Sequence, residues 1–333
     1  MQSKPLALSL VIGILLAALC SASLLSLAVG ARAIALPEVL ASLIDPYSSP
    51  TVSAVVWDRR IPRTLIALTV GMSLGLAGTL IQALTSNPLA DTGVLGINAG
   101  AAFAIVTGLA FGIQGSAANV FVLALAGAFL AGAGVYVISR TQGVGVDPLR
   151  LILAGVALSA ILGGIGDGLA LVNPQAFDRL KGWMLGSVDA GSYQPLVLAA
   201  LGLVVGAVLA ASAARGLDAL ALGEEMATSM GANVARTRLL TFLAVAILAA
   251  SATAAAGVIV FLGLMVPHLA RWLVGSSFGR LLATSMLLGP LVLLLSDIAG
   301  RVIIAGEFPA GIVVSFIGAP FLIAYAQSAK RGV

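Results

Sequence analysis

Charge is what this sequence has least of. Only 9% of its 333 residues are charged, against roughly a quarter in an average soluble domain. Hydrophobic residues make up 60%, and the mean hydropathy is +1.13. No soluble fold of this length has interior enough for that composition, so soluble classes are excluded. Cysteine is nearly absent: Cys20 stands alone, which excludes an intrachain disulfide and a cysteine-rich metal site. Histidine is reduced to His268, and one histidine without neighbouring cysteine or carboxylate cannot build a tetrahedral metal centre. It also lacks the positioned nucleophile or acid that catalysis needs, which argues against a membrane-embedded enzyme. The three lysines, Lys4, Lys181 and Lys330, do not follow glycine, so there is no P-loop and no nucleotide site. Any ATP and magnesium would be bound by a partner chain, and no cofactor is expected in this one.

Long apolar runs are present instead. They are too uniform for the alternating strands of a membrane barrel, and a spanning helix needs about 20 apolar residues. Ten spans are expected, near 6–29, 62–83, 94–112, 117–138, 150–171, 194–213, 239–256, 258–274, 281–300 and 309–327. The first resembles a signal peptide, but its run from Leu6 to Val29 is long for one, and it reads as a membrane helix. From Leu239 to Val266 the chain runs 28 residues without a charge, long for one helix and short for two. Gly257 is the expected break. Glycine is abundant, with G-x-x-x-G pairs at Gly71/Gly75, Gly164/Gly168 and Gly202/Gly206. Such pairs serve close helix packing. The fold class is therefore an all-α polytopic membrane protein, a single transmembrane domain over 1–333.

With ten spans and both termini in the cytoplasm, ten of the 17 basic residues fall inside and seven outside. This agrees with the positive-inside rule and accounts for the net charge of +4 without nucleic acid. Arg59, Arg60 and Arg63 crowd the outer face against that trend. The same parity places a polar island, Arg215 to Arg238, in the cytoplasm. It carries six charges of both signs among leucines and small residues. A segment this polar cannot lie in hydrocarbon, and its apolar residues suggest short helices. It reads as a docking element for a soluble partner.

Several residues admit two readings. Trp57 to Arg63, W-D-R-R-I-P-R, is either an interfacial anchor or an arginine patch for an acidic partner. Asp297 and Arg301 are four apart, as for a local ion pair, unless Arg301 joins that patch. Asp167, in G-G-I-G-D-G-L, is structural or water-facing, or else a proton site. A proton site would make the chain an ion-coupled secondary transporter. His268 reads as a helix-end residue, with Pro267 distorting the helix beside it.

Five strings together carry a resemblance. They are R-I-P-R-T-L at Arg60–Leu65, Q-A-L-T-S-N-P-L-A-D-T-G-V-L-G-I-N-A-G-A at Gln82–Ala101, L-A-G-V-A-L-S-A at Leu153–Ala160, F-L-G-L-M-V-P-H-L-A-R at Phe261–Arg271, and S-F-I-G-A-P-F at Ser315–Phe321. In this order they resemble the FecCD-like permease subunit of type II ABC importers, the family that takes up ferric siderophores, haem and cobalamin. N-A-G-A-A-F-A-I-V at Asn98, A-L-V-N-P at Ala170 and D-I-A-G-R-V-I at Asp297 bring it nearest to ferric-siderophore, enterobactin-type permeases. Haem or cobalamin is the alternative cargo.

The resemblance implies the type II importer permease fold, with two permease subunits, two ATP-binding subunits and an external substrate-binding protein, in a bacterial cytoplasmic membrane. It implies ATPase coupling by Leu222, Gly223, Glu224, Glu225, Ala227, Met230 and Gly231 within the segment 215–238. Arg60, Arg63 and Arg301, with Arg59 beside them, correspond to residues that dock the binding protein. Asn87, Pro88, Leu89 and Gly93 lie in the family's signature loop. The helix near 150–171 corresponds to a pathway-lining element followed by a short outer helix near 176–186. Leu153, Val156, Ser159 and Asp167 are then its pathway candidates.

Overall fold

The structure, a computed structural model, describes residues 7–30, 33–47, 49–113, 116–141, 145–189, 191, 193–303 and 308–330. Arg32, Lys4 and Arg331 from the charge count lie outside the described residues. The chain is a helical bundle: α1 (Leu8–Ala28), α2 (Leu36–Ile44), α3 (Pro50–Val55), a π-helical turn (Val56–Arg60), α4 (Ile61–Leu84), a 3-10 turn (Thr92–Leu95), α5 (Ile97–Ala110) and α6 (Ala117–Ser139). A two-residue antiparallel ribbon, β1 (Arg140–Thr141) and β2 (Gly145–Val146), leads into α7 (Pro148–Val172), α8 (Pro174–Met184), α9 (Gln194–Leu220) and α10 (Glu224–Ser229). Then come α11 (Val234–Ala256), α12 (Leu262–Val274), α13 (Phe278–Ile303) and α14 (Ala310–Lys330).

Each of the ten expected spans coincides with a helix. Among the described residues seven helices are long and apolar enough to cross a membrane, while α5, α12 and the apolar part of α14, Ala310–Tyr325, are shorter. The 28-residue uncharged run divides at Gly257, where φ is 73°. At 1.5 Å per residue the 13 residues of α12 reach only about 20 Å, short of the ~30 Å hydrocarbon core. Val258–Val260, which is not helical, and Phe261 supply the remaining depth. Non-helical backbone survives at such a position only when protein covers it. Here Ser187 N donates to Ala256 O at 2.8 Å, and Gly311 N to Gly186 O at 2.9 Å. A Cβ on Gly186 would lie 2.3 Å from Val258 O, so the fit needs glycine.

α4 is the centre of the bundle, packed by α9, α11, α12 and α13. The G-x-x-x-G pairs divide in two. A Cβ on Gly71 would meet Pro290 Cα at 2.4 Å, and one on Gly206 would meet Leu248 Cγ at 2.4 Å, so these pairs hold α4 on α13 and α9 on α11. Gly164 and Gly168 face open space on α7, so they pack no helix of this chain.

The helices alternate in direction, so the bundle has two ends. One carries α2, α3 and α8; the other carries the 85–96 loop, the ribbon and α10.

Candidate functional site

At the α8 end the arginine patch is inside the protein. Arg60, Arg63 and Arg301, expected as surface contacts for an acidic partner, are 6%, 8% and 6% exposed, and Arg59 alone is on the surface. The cause is Asp297, fully buried one helical turn before Arg301 on α13. Its Oδ1 accepts from Arg63 Nε at 3.1 Å and Nη2 at 2.9 Å, and its Oδ2 accepts from Arg301 Nη2. Arg301 Nη1 donates further to Ser26 O at 2.8 Å and Val29 O at 3.0 Å, and Ser26 Oγ bonds Thr64 Oγ1 at 2.8 Å. Arg60 donates to Leu27 O. A carboxylate in hydrocarbon is tolerated only when paired, and two guanidinium forks do this here while tying α1, α4 and α13 together. The pair read locally, Asp297 with Arg301, is present, and Arg301 also joins Arg63 through that carboxylate. Ser26 and Thr64 gave no signal in the sequence, being small hydroxyls in apolar runs.

The rim of this end is polar. Arg63 Nη1 lies 3.7 Å from Asp189 Oδ2 in the loop after α8. Tyr193 donates to Trp57 O at 2.7 Å, and Trp57 Nε1 to Ser42 O at 3.1 Å, so Trp57 anchors as an interfacial tryptophan does. Loss of water raises the Tyr193 hydroxyl above its ordinary value, and the Asp58 carboxylate adds to this.

At the α10 end, the island is the tail of α9, a tight turn through Gly223 at φ 103°, α10, a second turn through Gly231 at φ 81°, and the first turn of α11. Asn233 caps α11, its Oδ1 accepting from Arg236 N at 2.9 Å. Glu224 pairs with Arg238 Nη2 at 2.9 Å, which fixes α10 to α11. Leu222, Met226 and Met230 are 64%, 53% and 63% exposed, with Glu225 beside them on the surface. Ala227 points the other way and is fully buried, seating the helix on the bundle. Three large apolar side chains thus stand uncovered on a segment too polar for lipid.

Next to the island runs the loop 85–96. Asn87 Oδ1 accepts from Leu89 N at 2.9 Å, which turns the chain at Pro88 and leaves Leu89 55% exposed. Gly93 sits in the 3-10 turn that follows. This turn leans on α7 so closely that a Cβ on Gly155 would lie 1.6 Å from Val94 O. Loss of water pushes the Asp91 carboxyl above its ordinary value, opposed by the backbone N–H groups of Thr92 and Gly93.

Among the described residues α7 is the least covered of the long apolar helices, with 17% of its apolar length buried in the chain. Leu153 and Val156 are 60% and 57% exposed, Ser159 is half-buried beside Gly96, and Asp167 is exposed near the α8 end.

His268 is in the middle of α12, not at a helix end, and is 2% exposed. Its Nδ1 meets Leu264 O at 2.7 Å and its ring lies 4.2 Å edge-on from that of Tyr325. It fills the α12–α14 contact. Among the described residues no group of histidine, cysteine and carboxylate could hold a metal ion.

Comparison with known proteins agrees with this fold. The model of the FecCD transport family matches residues 10–328. The ferric enterobactin transport system permease protein FepD of Escherichia coli (strain K12) is 44% identical over 96% of this chain and 95% of its own length. The iron(3+)-hydroxamate import system permease protein FhuB of Bacillus subtilis (strain 168) is 34% identical over 95% of this chain and 82% of its own. A solved inward-facing conformation of a metal-chelate type ABC transporter superposes with a TM-score of 0.82 at 27% identity, covering 96% of this chain and 99% of that one. Built on the same helical frame and matched nearly end to end, this chain belongs to the FecCD transport family.

Proposed function

We propose that the chain is the membrane-spanning permease subunit of an ATP-driven importer that carries a ferric siderophore across a bacterial cytoplasmic membrane. The α10 end faces the cytoplasm, with both termini, and two ATP-binding subunits hold the nucleotide and its magnesium. The α8 end faces outward and receives the iron chelate from a substrate-binding protein. Arg59 makes the direct contact there, while Arg60, Arg63 and Arg301 hold the rim in shape from beneath. A second permease subunit covers the open side of α7, and the chelate passes between the two.

The observation that carries this reading is the face of Leu222, Met226 and Met230 beside Glu225, apolar side chains held out on a six-residue helix. A closing ATPase pair would push on that face. The push would reach α9 and α11 through the Gly223 turn and the Glu224–Arg238 pair, tilting the bundle between outward and inward openings. The similarity to permeases of ferric enterobactin and ferric hydroxamate supports an iron chelate as cargo. A chelate delivered by a binding protein needs only weak contacts along its path, in keeping with the apolar surface of α7.

The test is transport and ATP hydrolysis in proteoliposomes containing the purified complex. Glu225→Lys combined with Met230→Asp should leave ATPase subunits hydrolysing ATP while chelate uptake falls at least about tenfold. Full uptake by this variant would refute the role of α10.

A further inference from the structure

A cavity of about 450 Å³ lies at the α10 end, between the ends of α4, α9, α12 and α13. That volume suits a small ligand. One wall is charged. Arg271, Arg238 and Glu224 line it, and the Glu224 carboxylate pairs with Arg238 at 2.9 Å, which leaves Arg271 as the cation in excess. Arg271, on the last turn of α12, has no ion pair among the described residues: its Nη1 donates to Gln82 Oε1 at 2.8 Å. Gln82 is 3% exposed and in turn donates to Leu264 O at 3.3 Å, so the guanidinium is aimed by a buried amide. The carbonyls ending α12 offset about half a charge at most. The carboxylate of Asp218 accepts from Phe278 N at 2.9 Å, but Asp218 is exposed and does not line the cavity. The opposite wall is apolar, from Leu84, Leu217, Leu220 and Phe278.

We propose that this cavity binds the phosphate headgroup of an anionic membrane phospholipid, with Arg271 as its anchor. A guanidinium fork matches phosphate oxygens two at a time. A basic pocket among membrane helices at the cytoplasmic face is a recognised form of headgroup site. The apolar wall favours an amphiphile over a bare anion, and over an acidic side chain on a soluble partner. Lipid so placed would bridge α12 to the root of α10.

Native mass spectrometry of the full chain, purified with its partner subunits, tests this. Mixed micelles would contain phosphatidylglycerol or phosphatidylcholine. The native protein should retain one phosphatidylglycerol about tenfold better than phosphatidylcholine, the worth of one charged hydrogen bond. Arg271→Gln should abolish the preference and Arg271→Lys should keep part of it. Ala221→Trp, which plugs the exposed mouth without touching the polar network, should also abolish it. Equal retention of the two lipids by the native protein would overturn the proposal. So would an undiminished preference in Arg271→Gln. Displacement of the lipid by millimolar inorganic phosphate would assign the site to a free anion instead. Lipid loss wherever the ATPase is bound would assign it to an acidic group of that partner.

Discussion

Asp297 shows what a single residue does when it is the counter-ion of two. It lies between Arg63 and Arg301, and its side chain is 1% exposed. Removing it would leave two guanidinium groups facing each other without water, and breaking a buried pair costs about 3–5 kcal/mol. Asp297→Ala should therefore lower the thermal midpoint of the detergent-solubilised complex by several degrees, read by loss of soluble assembly on heating. Arg59→Glu should leave that midpoint unchanged, because Arg59 is exposed, yet weaken capture of the substrate-binding protein. A normal midpoint for Asp297→Ala would mean that the network adds nothing to the fold. The residue scale is also where the sequence was least legible. The i,i+4 spacing of Asp297 and Arg301 announced their pair. Arg63 is 234 positions from Asp297, and nothing in a linear string says that α4 and α13 lie side by side. Charged residues near helix ends look exposed in sequence, and only tertiary packing decides that three of these four arginines are not.

Among the elements, the joint of α11, α12 and α8 rests on Gly257. Its φ of 73° disfavours any side chain, and a Cβ there would stand 2.1 Å from Trp183 O. Gly257→Val should push α8 away from the α11–α12 break and lower uptake while leaving α10 intact, so ATPase subunits should still copurify. Loss of the ATPase from this variant would show that the two ends are not separable. This joint was half legible. Gly257 stood out as a small, flexible position able to divide a 28-residue apolar run. The sequence did not reveal that the chain would stay non-helical as far as Val260, nor that Phe261 would take a φ of 69°. Both sit in tertiary fits that no local preference announces: added Cβ atoms on Gly186 and Gly311 would lie 2.3 Å and 3.1 Å from Val258 O, and one on Gly318 would lie 2.4 Å from Phe261 Cβ. α2 and α3 were missed for a similar reason. They are 9 and 6 residues long, too short to show a period, and they exist because Val39 and Val56 find a common apolar seat under α1.

For the whole molecule the question is which uncovered surfaces meet lipid and which meet water. α7 and α9 are alike by composition and burial: 17% and 22% of their apolar windows are covered, and Val156 and Val204 are 57% and 61% exposed. Apolar periodicity cannot separate a lipid face from a pathway of weak contacts, since both want aliphatic side chains. What separates them here is polarity nearby. α7 carries half-buried Ser159 and exposed Asp167 on its uncovered length, and a lone carboxylate turned to hydrocarbon would be costly. From Gln194 to Ala214, α9 offers no acidic or basic group. The open side of α7 should therefore be wet once the second permease is in place, and that of α9 should be dry. Cys20 is exposed, so the experiment starts from Cys20→Ser. In that background Val156→Cys should react with a water-soluble maleimide in the assembled, membrane-embedded complex, and bound ferric siderophore should slow the reaction. Val204→Cys should stay unlabelled under the same conditions. If both cysteines are silent, or both react with no effect of the chelate, then α7 does not line the pathway. The charge on Asp167 would then need another source of water, such as a cleft closed by the α8 segment alone.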